Sequence, residues 1–216
     1  MLDRNTHPDA DAALAALGAD ASKLCAARLA RVAGTHALGL DGIALPMPDV
    51  AGIGCWTGLQ PDPDATSWNG AVRASIDALP FEDEAFCAVL VRFPRGVEVG
   101  ATAIELARVL APHGTVLIVD LHPRSIWHGG SSPGAWSRAL CKAGLDVSPS
   151  VRCGSPWPRE RGVAGVPRWL VRGMGGAWLL EARRRTFAAI PLRKAAASRR
   201  AVEHKTLLPG AHRQRA

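Results

Sequence analysis

The side chains singled out as able to ligate a metal or act as nucleophiles are three of the seven histidines (His113, His122, His128) and the five cysteines (Cys25, Cys55, Cys87, Cys141, Cys153). A metal centre needs three or four such groups converging at set spacings. No CxxC pair occurs, and nothing in the histidine spacing forces convergence, so these read as surface or loop residues. Cysteines odd in number and widely separated give no disulfide framework; they read as reduced, mostly buried thiols of a cytoplasmic protein. No nucleophile elbow with a paired base is apparent, which argues against a hydrolase. Trp127, Trp136, Trp157, Trp169 and Trp178 crowd the C-terminal half of a chain without tyrosine. They read as core and loop packing, the alternative being an aromatic wall over a cleft.

Charge separates the chain into two parts. Of 26 Lys and Arg and 19 acids, ten bases and one acid lie from Arg183 onward, leaving +9 there and −2 on the rest. A basic tail of this kind can bind nucleic acid or another polyanion through counterion release. The remaining length suits one globular domain, taken as 1–185, with 186–216 as a basic and unstructured tail. No apolar run reaches the roughly 18 residues of a membrane span, and the first ten residues lack the pattern of a secretory signal.

The elements that must position any site follow from periodicity. Three-and-four spacing of Leu14, Leu17, Ala21, Leu24 and Val32 predicts a helix over 9–32, closed by Gly34. Apolar runs predict strands at 36–40, 86–92, 115–121, 145–151 and 176–184, with a strand-like piece at 71–75. Helices are predicted over 102–110 and from the Ser132–Pro133 cap towards Gly144. Strands alternating with helices mean a mostly parallel α/β sheet. Residues 41–70 offer no convincing helix.

One ordered set of residues is specific. Leu79-Pro80-Phe81, Asp83 and Phe86, then Glu105, Arg108-Val109-Leu110, Pro112 and Gly114, then Val116 to Val119, form the series LPFxDxxF…E…RVLxPxG…LxI. This resembles the central half of class I S-adenosylmethionine-dependent methyltransferases. Gly34 to Leu38, His122 to Trp127 and Gly175 to Arg184 are similar to a group of small proteobacterial methyltransferase-like proteins. The resemblance implies a Rossmann-like sheet with an antiparallel last strand, a truncated N-terminal half, and S-adenosylmethionine held near Gly39, Asp41, Gly42, Ser75, Ile76 and Arg92. It also implies an unidentified small-molecule methyl acceptor.

The sequence departs from that family where the cofactor should sit. The turn after the first strand has only Gly39, Asp41 and Gly42 in place of a glycine-rich run. Gly52 to Gly58 mimics the missing motif, but Trp56 would fill the ligand's space and too few residues follow for the required crossovers. Asp62 and Asp64 are candidates by position for the ribose-binding acid. Ser75 stands where the family has the aspartate for the adenine amine, Cys87 where it has the aspartate opening the fourth strand, and His113 where it has a glycine. Two functions follow: a methyltransferase, or a non-catalytic descendant that binds or regulates, with nucleic acid as a partner through the tail.

Overall fold

The computed structural model describes residues 8–62, 67–123, 130–154 and 175–185, and side chains from residue 14 onward. Its contacts divide the chain into Met1–Thr186, which holds the fold, and Phe187–Ala216, which lies outside the described residues.

Helix α1 (Pro8–Leu29) precedes strands β1 (Gly34–Asp41), β2 (Ile53–Pro61), β3 (Trp68–Gly70) and β4 (Phe86–Arg92). Then come α2 (Val99–Val109), β5 (Leu110–Leu121), α3 (Pro133–Lys142), β6 (Asp146–Val147), β7 (Val151–Cys153) and β8 (Ala177–Arg183). The sheet runs β3-β2-β1-β4-β5-β8-β6, with β7 also on β8. Strands β2, β1, β4 and β5 are parallel, and β8 is antiparallel to β5. Continuous apolar sequence marks β4, the outer part of β5 and β8 because both faces of these strands are covered. One face packs Leu38, Val89, Val116 and Leu180 under Leu106 of α2 and Leu140 of α3. The other packs Ala37, Leu90, Leu117 and Leu179 under Leu17, Ala21 and Cys25 of α1.

The LPF…E..R series works as a structural clamp. Glu105 of α2 accepts the Leu79 N–H at 2.7 Å. Arg108 donates to the carbonyls of Leu79 (3.0 Å) and Phe81 (2.8 Å) and to Asp83 (2.6 Å) and Glu105 (2.6 Å). The segment leading into β4 is thereby tied to the helix leaving it, so the series positions the central strand.

The first half differs most from expectation. Of the decoy stretch Gly52–Gly58, all but Gly52 lies in β2, whose residues alternate poorly in burial and so give no strand signal. The strand-like piece at 71–75 forms only bridges: Trp68 and Ala74 exchange backbone bonds of 2.6 and 2.8 Å, which turns the chain back on β3. Strand β3 itself pairs antiparallel with β2. Residues 42–52 join the parallel β1 and β2 without a helix, as the short spacing required. The strand expected over 145–151 is broken into β6 and β7, both on β8.

Candidate functional site

In an open α/β sheet, ligands bind outside the carboxyl ends of the strands where the strand order reverses. Here that point lies between β1 and β4, because β2 continues the sheet on one side and β5 on the other. Asp41 ends β1, Arg92 ends β4, and the two are register partners. Parallel pairing of two buried strands therefore fixes an acid and a base side by side at the switch point.

They pair with each other. Arg92 Nε and Nη2 donate to the two Asp41 oxygens at 2.5 and 2.6 Å, and both residues are fully buried. Arg92 Nη1 donates to Ser22 Oγ of α1 (2.7 Å) and the Pro46 carbonyl (3.0 Å); Nη2 also reaches the Leu45 carbonyl (3.3 Å). The fork is thus saturated by the acid, a helix hydroxyl and the β1–β2 connection, as a buried guanidinium requires. Burial pushes the Asp41 carboxyl up from its ordinary value, and the hydrogen bonds and charge of Arg92 pull it back against that.

The two glycines of the short turn serve the same internal arrangement. A Cβ on Gly42 would run into the Phe93 carbonyl, and the Gly42 N–H is bonded to the Arg92 carbonyl at 2.7 Å. A Cβ on Gly39 would lie 2.6 Å from Met47 Sδ, and one on its register partner Gly58 would lie 3.2 Å from Met47 Cε. Met47 of the β1–β2 connection therefore rests on the sheet through gaps that glycines leave. Leu45, packed against the α1-side core, comes so close to α1 that a Cβ on Gly18 would sit 2.8 Å from it.

Of the residues expected at the cofactor, the structure brings Gly39, Asp41, Gly42 and Arg92 together at one edge and leaves Ser75 and Ile76 out. Ser75 is exposed and donates to Asp77. Ile76 is buried in the core under α2 and α3. Asp62 follows β2 and is held by Ser67 (2.8 Å) and Arg73 (2.9 Å); Asp64 lies outside the described residues. These residues do not fit S-adenosylmethionine. The group needs backbone donors, a ribose acid and glycine-made space; among the described residues the Gly42 N–H, Asp62 and the gaps over Gly39 and Gly58 are taken up by the chain's own atoms.

The other constellations resolve similarly. His113 and His122 stand at opposite ends of β5, and His128 lies outside the described residues. No group of metal-ligating side chains forms among the described residues. Gly130 to Gly134 has the GxSxG spacing, a feature the sequence reading missed. Its Ser132 caps α3 well after β5 ends at Leu121, so it does not sit on a sharp strand-to-helix turn. All five cysteines are free; contrary to expectation Cys55 and Cys141 are exposed. Burial pushes the Cys25 thiol up to about 12. Trp136 and Trp178 are core residues whose indole N–H groups bond Ser131 Oγ (2.7 Å) and the Leu121 carbonyl (3.1 Å). Trp127, Trp157, Trp169 and Arg124 lie outside the described residues. The sequence signal that could have found the pair is a charged residue ending each of two buried, adjacent strands. The roles of Ser22, Leu45, Pro46 and Met47 had no such signal.

No protein-family model and no curated protein matches the chain. Solved structures do. The chain is similar to one from the Haloferax volcanii complex between the Trm112 methyltransferase activator and a methyltransferase, at 20% identity and TM-score 0.53 over 84% of this chain and 100% of that one. It is also similar to geranyl diphosphate C-methyltransferase from Streptomyces coelicolor A3(2), at 16% identity and TM-score 0.51 over 86% and 90%. The third is the cyclase SpnF, at 16% identity and TM-score 0.52 over 77% and 81%. The chain has the class I methyltransferase fold, with a Rossmann-like, mostly parallel sheet. At these identities the likeness is one of fold.

Proposed function

We propose that this protein is a non-catalytic member of the methyltransferase fold, which works by binding a partner and carries no S-adenosylmethionine. The observation that supports the reading is the Arg92–Asp41 pair sealed under residues 42–47 at the switch point. Admitting the cofactor would mean withdrawing that connection and leaving a buried charge short of partners. The loss of the Leu45 and Pro46 carbonyls removes two hydrogen bonds to a charged group, at about 1.5–3 kcal/mol each. Affinity for a ligand that needs the opened form would fall by roughly two to four powers of ten. The fold does not dictate transfer chemistry, as the cyclase among the neighbours illustrates. The run of ten bases and one acid from Arg183 onward supports a polyanion, nucleic acid among them, as partner.

The test is thermal unfolding with S-adenosylmethionine and, separately, S-adenosylhomocysteine at about 1 mM. A ligand at a hundred times its Kd adds about 2.7 kcal/mol to stability. The reading expects an unchanged Tm; a rise of several degrees would restore the enzyme, a methyltransferase acting on an unidentified acceptor.

A further inference from the structure

At the amino edge of the parallel strands, opposite the switch point, a cavity of about 230 Å³ opens between the α1–β1 connection and the starts of β4 and β5. Arg31, His113 and Arg183 line it, beside Cys87 and Thr115, and no carboxylate belongs to its lining. A bulge makes its wall. Phe86 pairs with Leu110 but Ala88 with Thr115, so residues 111–114 of β5 stand opposite Cys87 alone. The bulge holds His113 at φ 63°, in the left-handed region. Glycine takes that conformation freely, whereas a histidine there is kept at a conformational cost, and such costs cluster where a side chain has a task.

The charges around the cavity do not cancel. Arg183 binds Glu181 Oε1 through Nε (2.9 Å) and Nη2 (2.8 Å), and Arg28 binds the other oxygen of the same carboxylate at 3.2 Å. Arg31 is exposed and makes no ion pair among the described residues. Arg31 and Arg183 of the lining, with Arg28 behind, thus stand against the Glu181 carboxylate and the carboxyl end of α1, which contributes about half a negative charge, while Asp146, the register partner of Arg183, is bound by Arg185. The volume is below the roughly 300–1,000 Å³ of sites for larger organic ligands, so a small anion suits it. The Arg31 guanidinium can offer a tetrahedral oxyanion the paired charge-assisted bonds of a fork, and Arg183, whose Nε and Nη2 are held by Glu181, can add its Nη1.

We propose that this cavity is a phosphate site, holding the phosphate group of a small ester or of a nucleic-acid strand between Arg31 and Arg183 with His113 at its rim. It is independent of the switch point: bound S-adenosylmethionine would leave it in place.

Amide NMR of the full chain, titrated with inorganic phosphate at low ionic strength, tests it. Saturable shifts are expected at Ala33, His113, Gly114 and Thr115, and Arg31→Ala should weaken the affinity by about tenfold or more. His113→Gly, which relieves the left-handed φ, should weaken it too while leaving Tm unchanged or raised; this variant carries the test if Arg31→Ala fails to fold. Lys205→Gln, in the basic tail, should leave these shifts as they are. Shifts confined to residues beyond Thr186, or an Arg31→Ala titration superimposable on the wild type, would overturn the proposal. Adenosine monophosphate and a short single-stranded oligonucleotide then separate the sources. The true source moves the same amides at lower concentration than phosphate, and failure of both to move them would also overturn it.

Discussion

Arg92 decides what the carboxyl edge of the sheet can do. Its fork is filled by Asp41, Ser22, Leu45 and Pro46, all within the chain. Arg92→Met leaves the Asp41 carboxylate buried and alone, and chemical denaturation should show a loss of about 3–5 kcal/mol. Replacing both partners, Asp41→Leu with Arg92→Met, should recover most of that loss, because no uncompensated charge remains; equal losses in the single and double variants would refute the pairing. Glu105 gives a pH signature. The Arg108 hydrogen bond holds its carboxyl below the ordinary value of 4.5. A folded-state value below the unfolded one gives stability that is present above pH 4.5 and lost as pH falls through the folded value. Denaturation midpoints should therefore drop on acidification through that window, and Glu105→Gln should lower stability near neutrality by about 1 kcal/mol and flatten the drop.

Strands buried on both faces were legible in the sequence, and half-covered ones were not. Phe86–Arg92 is six unbroken apolar residues and a terminal arginine, and the sequence bounds match the strand. The strand Ala177–Arg183 follows for the same reason, and the helix expected over 102–110 from its apolar stripe is found at Val99–Val109. Strand β2 escaped because its glycines serve close approach: a Cβ on Gly54 would sit 2.8 Å from the Thr35 carbonyl. Glycines spaced like a ligand turn are there packing devices. At the switch point the sequence located Gly39, Asp41, Gly42 and Arg92, but spacing alone could not tell a cofactor cradle from a pair closed on itself. Gly42→Ala separates these, since its Cβ meets the Phe93 backbone, which cannot swing aside. It should destabilise the fold by about 3 kcal/mol, at the upper end for overpacking. A neutral Gly42→Ala would mean the turn is open.

Over the whole molecule, a slightly acidic body carries a strongly basic C-terminal segment. No helix among the described residues is long and apolar enough to cross a membrane. Neutralising Arg193, Lys194, Arg199 and Arg200 to glutamine should lower the salt at which the chain leaves an immobilised polyanion, and reduce the slope of log affinity against log salt. An unchanged slope would remove the segment from that role. The fold itself keeps the central β1-β4-β5-β8 sheet of the methyltransferases, and on the proposed reading the Leu45 and Pro46 carbonyls, bonded to Arg92 at the switch point, close the edge where a donor would bind. Isothermal titration calorimetry of the full chain with S-adenosylmethionine measures that claim most directly. The account predicts no binding heat up to about 1 mM cofactor, the weak limit of useful affinity. A saturable isotherm with a micromolar Kd would contradict it.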